Sequence, residues 1–163
     1  MISMIKDVIV KDAGKKGRGV FALRSFKKGE FIFRGKKGRT VHKKDLPKLS
    51  KWELRHLDEI DKDTFEIMTA PGCYINHSCD PNAIGKGYGL YALKSIKKGQ
   101  EITVDYRING LFNNRWKCLC GSKNCTGWVT SNFFTLSEKL QKKYLPYTIK
   151  DIREEYYTRH RIK

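Results

Sequence analysis

The chain repeats itself. Lys16-Gly17-Arg18-Gly19-Val20-Phe21-Ala22-Leu23-Arg24-Ser25-Phe26-Lys27-Lys28-Gly29-Glu30 returns 70 residues later as Lys86-Gly87-Tyr88-Gly89-Leu90-Tyr91-Ala92-Leu93-Lys94-Ser95-Ile96-Lys97-Lys98-Gly99-Gln100. Each copy holds a Gly-x-Gly bend, an aromatic and aliphatic run and a Lys-Lys-Gly turn. A second apolar run follows, Phe31 to Phe33 in one copy and Ile102 to Val104 in the other. Glycine supplies the positive φ that such turns require, and short apolar runs between turns read as strands. Two copies are too few for a solenoid, which needs about three or more. The repeat predicts a small, mainly β domain built from two similar strand pairs.

Helical periodicity is confined to two places. Between the copies, residues 46–60 form the best window. Ser50 followed by Glu53 makes a capping box ahead of Leu54 and Leu57. Near the end, Leu136, Leu140 and Tyr144 share a helical face until Pro146 interrupts it. Thr148 and Asp151 mark a second start, with Ile149, Ile152 and Tyr156 on one face. The expectation is a tail helix that covers the sheet.

At 163 residues the chain fits one domain with a real core, since a domain of this size hides roughly 70% of its unfolded surface. No apolar run approaches the roughly 18 residues of a membrane span, and the residues from Met1 to Asp7 do not resemble a secretion signal. The expected setting is a reducing compartment, where clustered cysteines bind metal more readily than they pair as disulfides. Net charge is +17, from 34 Lys and Arg against 17 Asp and Glu. Such a balance attracts polyanions and suits nucleic acid as a partner, although a solvated lysine-rich surface gives the same count. Glu53, Asp58, Glu59, Asp61, Asp63 and Glu66 fall in one short stretch and suggest an acidic wall on a basic molecule.

Cys118-Leu119-Cys120-Gly121-Ser122-Lys123-Asn124-Cys125 lies downstream of Cys79, which sits inside Asn76-His77-Ser78-Cys79-Asp80-Pro81-Asn82. Four thiolates close a tetrahedral zinc site and leave no open position for chemistry at the metal. Any reaction must then belong to other residues. Cys73, the fifth cysteine, reads as a buried small hydrophobe.

Four blocks together resemble the SET-domain protein lysine methyltransferases. They are Lys16-Gly17-Arg18-Gly19-Val20-Phe21-Ala22, the Asn76–Asn82 block, Glu101-Ile102-Thr103-Val104-Asp105-Tyr106, and the cysteine cluster with Thr126-Gly127. The last is similar to the post-SET zinc segment of histone methyltransferases. The resemblance implies a SET-type fold of small twisted β-sheets with a pseudoknot, an exceptional topology, followed by C-terminal helices. It divides the chain into a SET domain (1–110), a post-SET zinc segment (111–130) and a helical extension (131–163).

The same resemblance implies S-adenosylmethionine as methyl donor, with the substrate lysine entering a channel from the opposite face. Lys16, Gly17, Arg18, Asn76, His77 and Tyr106 would line the donor site, with Asn76 offering its carboxamide and His77 its backbone. Cys79, Cys118, Cys120 and Cys125 would hold one structural zinc ion. Tyr106 would be the catalytic residue. The implied partner is a lysine-bearing protein, histone-like or otherwise basic, with no membrane; the basic surface, separately, offers contact to nucleic acid. The implied location is cytoplasmic in a prokaryote and nuclear, on chromatin, in a eukaryote or virus.

The chain departs from the pattern in three places. No tyrosine follows the Gly29-Glu30 turn, Tyr74 stands where phenylalanine is usual, and Val104 occupies a position often aromatic. The alternative function is a zinc-stapled chromatin or nucleic-acid adaptor without activity. An unrelated zinc ribbon would need a second close cysteine pair, and the sequence offers only the distant Cys79.

Overall fold

A computed structural model describes residues 4–161. Its strands run β1 (Met4–Ile5), β2 (Val8–Asp12), β3 (Arg18–Ala22), β4 (Phe31–Arg34), β5 (Arg39–His42), β6 (Leu57–Glu59), β7 (Thr64–Ile67), β8 (Asn76–His77), β9 (Ala83–Lys86), β10 (Gly89–Ala92), β11 (Glu101–Val104), β12 (Leu111–Lys117) and β13 (Trp128–Asn132). The α-helices are α1 (Lys51–Arg55), α2 (Glu138–Tyr144) and α3 (Lys150–Arg161). Two units emerge. One contains the chain up to Lys37, Thr69–Asp105 and Lys117–Trp128; the other contains Gly38–Met68, Tyr106–Trp116 and the chain from Val129.

In the first unit the two repeat copies form strands, and each copy pairs with the other. β3 lies antiparallel to β11, and β4 antiparallel to β10. Phe26 and Ile96, equivalent positions in the repeat, form a two-way bridge: Phe26 N donates to Ile96 O at 2.8 Å and Ile96 N to Phe26 O at 2.9 Å. The turn glycines behave alike, with φ of 83° at Gly29 and 82° at Gly99. Gly29 N donates to Ala92 O at 2.7 Å, and Gly99 N returns the bond to Ala22 O at 2.8 Å. Exchange between copies lets one apolar set close on itself. Val20, Ala22, Phe26, Ile32 and Phe33 of the first copy bury with Leu90, Ala92, Ile96 and Ile102 of the second, joined by Val8, Val10 and Ala83.

The larger sheet runs β1-β2-β3-β11-β8, and its last pair is parallel. That pairing sets Asn76 beside Thr103 and His77 beside Val104. Asn82 pins the arrangement from the side: its Nδ2 donates to Glu101 O at 2.8 Å and its Oδ1 accepts from Thr103 N at 2.9 Å. Two blocks distant in sequence are thereby laced together.

The second unit contains the β5-β7-β6 sheet, most of the β12-β13 pair and the helices. The capping box forms as the sequence predicts, with Ser50 Oγ accepting from Glu53 N and Glu53 accepting from Ser50 N. The helix itself is shorter than the expected 46–60 window. A 3-10 turn containing Pro47 occupies Lys43–Lys48, and α1 stops after five residues. Leu57–Glu59 leaves the helix because β7 offers it a ladder, with Leu57 opposite Ile67 and Glu59 opposite Phe65. At the other end Pro146 sits in the turn between α2 and α3, and Ile152 and Tyr156 are buried as the periodicity requires. Asp151 Oδ2 accepts from Lys62 N at 2.8 Å, tying α3 to the turn between β6 and β7.

Candidate functional site

The four cysteines converge. Among the described residues, the Sγ atoms of Cys79, Cys118, Cys120 and Cys125 all lie within 4.8 Å of one another. Cys79 and Cys118 are 3.8 Å apart, the edge of a tetrahedron with Zn–S bonds of about 2.3 Å being about 3.8 Å. All are free thiols, so the disulfide alternative fails. The loop that carries three of them is shaped for the purpose. Cys118 N donates to Gly127 O at 2.9 Å, Cys125 N to Ser122 O at 3.0 Å, and Gly121 and Gly127 take φ of 65° and 74°. Burial pushes the Cys118 thiol up to about 12. Burial also raises Cys120, but N–H groups of Cys79 and Ser122 and the Ser122 hydroxyl outweigh it and draw that thiol down to about 6. Four crowded sulfurs with such opposed tendencies suit a divalent cation, which deprotonates its thiol ligands outright. The donor set fits zinc.

Around the first glycine block, three side chains meet. Lys16 Nζ is paired with Glu101 Oε2, and Glu101 Oε1 accepts from Asn76 Nδ2 at 2.8 Å. Asn76 Nδ2 also donates to Arg18 O at 3.0 Å. Both amide hydrogens are committed, which fixes the orientation of the carboxamide and turns its Oδ1 away from these partners. Gly17 adopts φ 77° and ψ −130°, and a Cβ there would meet nothing within 4 Å. The glycine is demanded by backbone conformation over open space and not by packing. Gly19 is the opposite case: a Cβ would lie 2.7 Å from Glu101 Oε1 and 3.0 Å from Asn76 Nδ2. The Arg18 guanidinium stacks 3.9 Å over the Tyr74 ring. The equivalent Lys86-Gly87-Tyr88-Gly89 bend joins β9 to β10 as a hairpin.

His77 lies on the same strand as Asn76, and its ring turns toward the thiolates. Nε2 is 3.3 Å from Cys79 Sγ and Nδ1 is 3.6 Å from Asp105 Oδ1. Tyr106, the next residue along, is 40% exposed, with its ring tilted against Trp116 at 6.1 Å between centroids. Val104 packs against the edge of the core. Sequence reasoning assigned no role to Glu101 or Asp105. Both belong to the third block, where the available signal was an acid on either side of Ile102-Thr103-Val104.

The acidic stretch is partly spent on structure. Glu53 serves the capping box and pairs with Arg39, Asp61 Oδ1 accepts from Asp63 N at 2.9 Å, and Glu59 Oε2 accepts from Leu111 N at 2.6 Å. Burial raises Glu59 to about 7, with Asp58 adding to it; crowding around the Asp58 carboxyl raises it as well, with Glu66 adding to it, although that residue reaches solvent. The expected acidic wall is therefore thinner near neutral pH than a count of carboxylates implies.

The SET domain family matches residues 17–107, more than half of the chain. The variant-silencing SET domain-containing protein of Plasmodium falciparum is 34% identical over 147 residues, which cover 77% of this chain and 6% of that protein. The H3 lysine-36 specific histone-lysine N-methyltransferase of Mycosarcoma maydis is 30% identical over 138 residues, 74% of this chain and 14% of that protein. The chain thus spans a small part of the length of these relatives. A crystal structure of a Plasmodium falciparum protein, described as a candidate histone methyltransferase, superposes with a TM-score of 0.50 at 26% identity, covering 63% of this chain and 95% of that one. The matched region runs from the Gly17 turn through Asn76–Asn82 to Tyr106, and on that basis the chain belongs to the SET domain family.

Proposed function

We propose that the chain is a protein-lysine N-methyltransferase that uses S-adenosylmethionine to methylate a histone or another basic chromatin protein. The observation that carries this reading is the Asn76 carboxamide, locked by Glu101 and Arg18 beside the Lys16 ammonium and the open Gly17 backbone. S-adenosylmethionine, when bound, supplies an electrophilic methyl group on a positively charged sulfur. Asn76 Oδ1 is oriented to accept from its ammonium, Lys16 to pair with its carboxylate, and Gly17 and Arg18 to offer backbone groups. The backbone of His77 lies on the same strand and extends the same wall.

The remaining task is to present a neutral amine in line. A free lysine has a pKa of about 10.4, so neutralising it at pH 7 costs about 4.6 kcal/mol. An apolar channel and a nearby positive charge both disfavour the ammonium and reduce that cost, so no strong general base is required. Tyr106 orients the amine through its hydroxyl, with Trp116 as the wall against its ring. Alignment of this kind supplies roughly 7–11 kcal/mol in well-oriented systems. The thiolate site holds one structural zinc and orders the segment from Cys118 to Cys125. The SET domain (1–110), post-SET segment (111–130) and helical extension (131–163) then divide the labour. The net charge of +17 supports docking to nucleic acid that presents the substrate, and a chromatin location fits that use.

Incubation with radiolabelled S-adenosylmethionine and a mixed basic-protein extract tests the reading. Labelling of one or a few proteins on lysine is expected, and its absence with wild-type protein would refute the activity. Binding to a DNA duplex is expected to weaken steeply with salt, as counterion release requires. A flat response would leave only a solvated surface.

A further inference from the structure

We propose that His77 is a positioning residue that couples the thiolate site to the donor pocket, each site being tightened when the other is filled. The inference rests on the reading of Asn76 as a donor-binding residue. The His77 ring is buried (7% exposed) between two groups that belong to different parts of the machinery. On one side Nε2 is 3.3 Å from Sγ of Cys79, itself 9% exposed; on the other Nδ1 is 3.6 Å from Oδ1 of Asp105, which is 4% exposed. A polar ring held this way, in a dry environment, has little freedom to turn without losing both neighbours.

Its backbone is equally constrained. His77 sits opposite Val104 in the parallel pair, Asn76 opposite Thr103, and Ser78 N donates to Val104 O at 2.8 Å. Asn76, one residue before, carries the carboxamide that faces Lys16 and Glu101; Cys79, two residues after, is a thiolate ligand; Asp105 directly precedes Tyr106. Any displacement of Cys79 as the four sulfurs close on an ion is therefore transmitted by ring and strand to Asn76 and to the residue before Tyr106. Groups that hydrogen-bond a metal ligand orient it and commonly alter metal affinity by roughly 10–100-fold. Coupling between two binding equilibria is reciprocal, so donor binding must raise metal affinity by the factor with which metal tightens the donor; affinity changes within one site fall mostly on dissociation, so that gain is expected in slower metal release.

The test uses the zinc-loaded full chain and two readouts besides activity. The first is the rate of zinc release to a chromogenic chelator, with and without saturating S-adenosylhomocysteine whose binding is verified by calorimetry. The second is the thiolate-to-metal charge-transfer band of the cobalt-substituted protein. In the wild type, S-adenosylhomocysteine is expected to slow zinc release by roughly 5-fold or more. His77→Gln keeps an N–H near the Nε2 position and should retain most of that effect. His77→Phe keeps the bulk without the N–H; zinc release should quicken by roughly 10-fold, the charge-transfer band should shift, and S-adenosylhomocysteine should no longer alter the rate. If His77→Phe does not fold, Asp105→Asn takes its place, with faster zinc release and weakened coupling expected. Equal release rates with and without verified ligand in the wild type would overturn the proposal, as would an unmoved band in His77→Phe or unchanged release in Asp105→Asn. Failure of S-adenosylhomocysteine to bind would instead refute the donor reading, and the ligand-free release rates would still judge the link between His77 and Cys79.

Discussion

Replacing Gly19 with alanine adds one methyl group against the Glu101 and Asn76 side chains, beside the proposed donor pocket. The added Cβ would stand 2.7 Å from Glu101 Oε1, 3.0 Å from Asn76 Nδ2 and 3.0 Å from the Ala13 Cβ. Gly19 lies inside β3 without the positive φ that alanine avoids, so the strand itself can accept the change. The two polar atoms are the ends of flexible side chains and can swing aside. Overpacking of this kind costs about 1–3 kcal/mol, offset by about 0.4–1 kcal/mol from a stiffer unfolded chain. For a chain of this size each kcal/mol moves the thermal midpoint by roughly 2–4 °C, so a fall of no more than about 10 °C is expected. The site fares worse. Displacing Glu101 removes the acceptor that fixes Asn76, a hydrogen bond to a charged group worth about 1.5–3 kcal/mol. If that bond preorganises the carboxamide, donor affinity weakens by roughly 10- to 150-fold. Isothermal titration with S-adenosylhomocysteine, run beside thermal unfolding, reads both quantities. A dissociation constant within twofold of wild type would refute the role given to the Asn76 and Glu101 pair.

Tyr106→Phe keeps the ring against Trp116 and removes the hydroxyl; turnover should fall by roughly 100-fold or more, with donor affinity changed less than twofold, as separate rate and titration measurements will read. Glu59 is raised to about 7 in the fold against about 4.5 when free, so it destabilises the fold once ionised. Stability is expected to drop as pH rises from about 4.5 through 7, and Glu59→Gln should flatten that part of a thermal-midpoint profile. Asp58 contributes in the same direction but reaches solvent and counts for less. If the side chain at position 104 limits how many methyl groups fit, then with Val104 the wild-type product should include di- or trimethyllysine by mass spectrometry and Val104→Tyr should stop at monomethyl. Stripping metal with a chelator should raise amide exchange across the Cys118–Cys125 loop and lower the thermal midpoint, and restoring zinc should reverse both.

The 70-residue repeat announced its strands because local apolar runs between glycine turns are a property of each copy. It did not disclose that the copies would pair with each other, since antiparallel partners are chosen by which apolar faces close a common core. Phe26 and Ile96 meet across that core, and nothing local to either residue marks the other as its partner. The capping box at Ser50 was legible for the same local reason, while the early end of α1 depended on β7, a strand supplied by later sequence. The cysteine set was readable from type and spacing. Glu101 and Asp105 escaped because a single acid in or beside a strand is silent until the antiparallel β3-β11 pair brings Lys16 to it and the parallel β8-β11 pair brings Asn76 and His77.

Native mass spectrometry of the purified chain, recorded with and without S-adenosylmethionine, weighs the metal and the donor in one spectrum. One zinc ion per chain and a single further gain equal to the mass of the donor is the result expected. A spectrum with neither increment would contradict the whole reading of this molecule as a zinc-stapled methyl-transfer site.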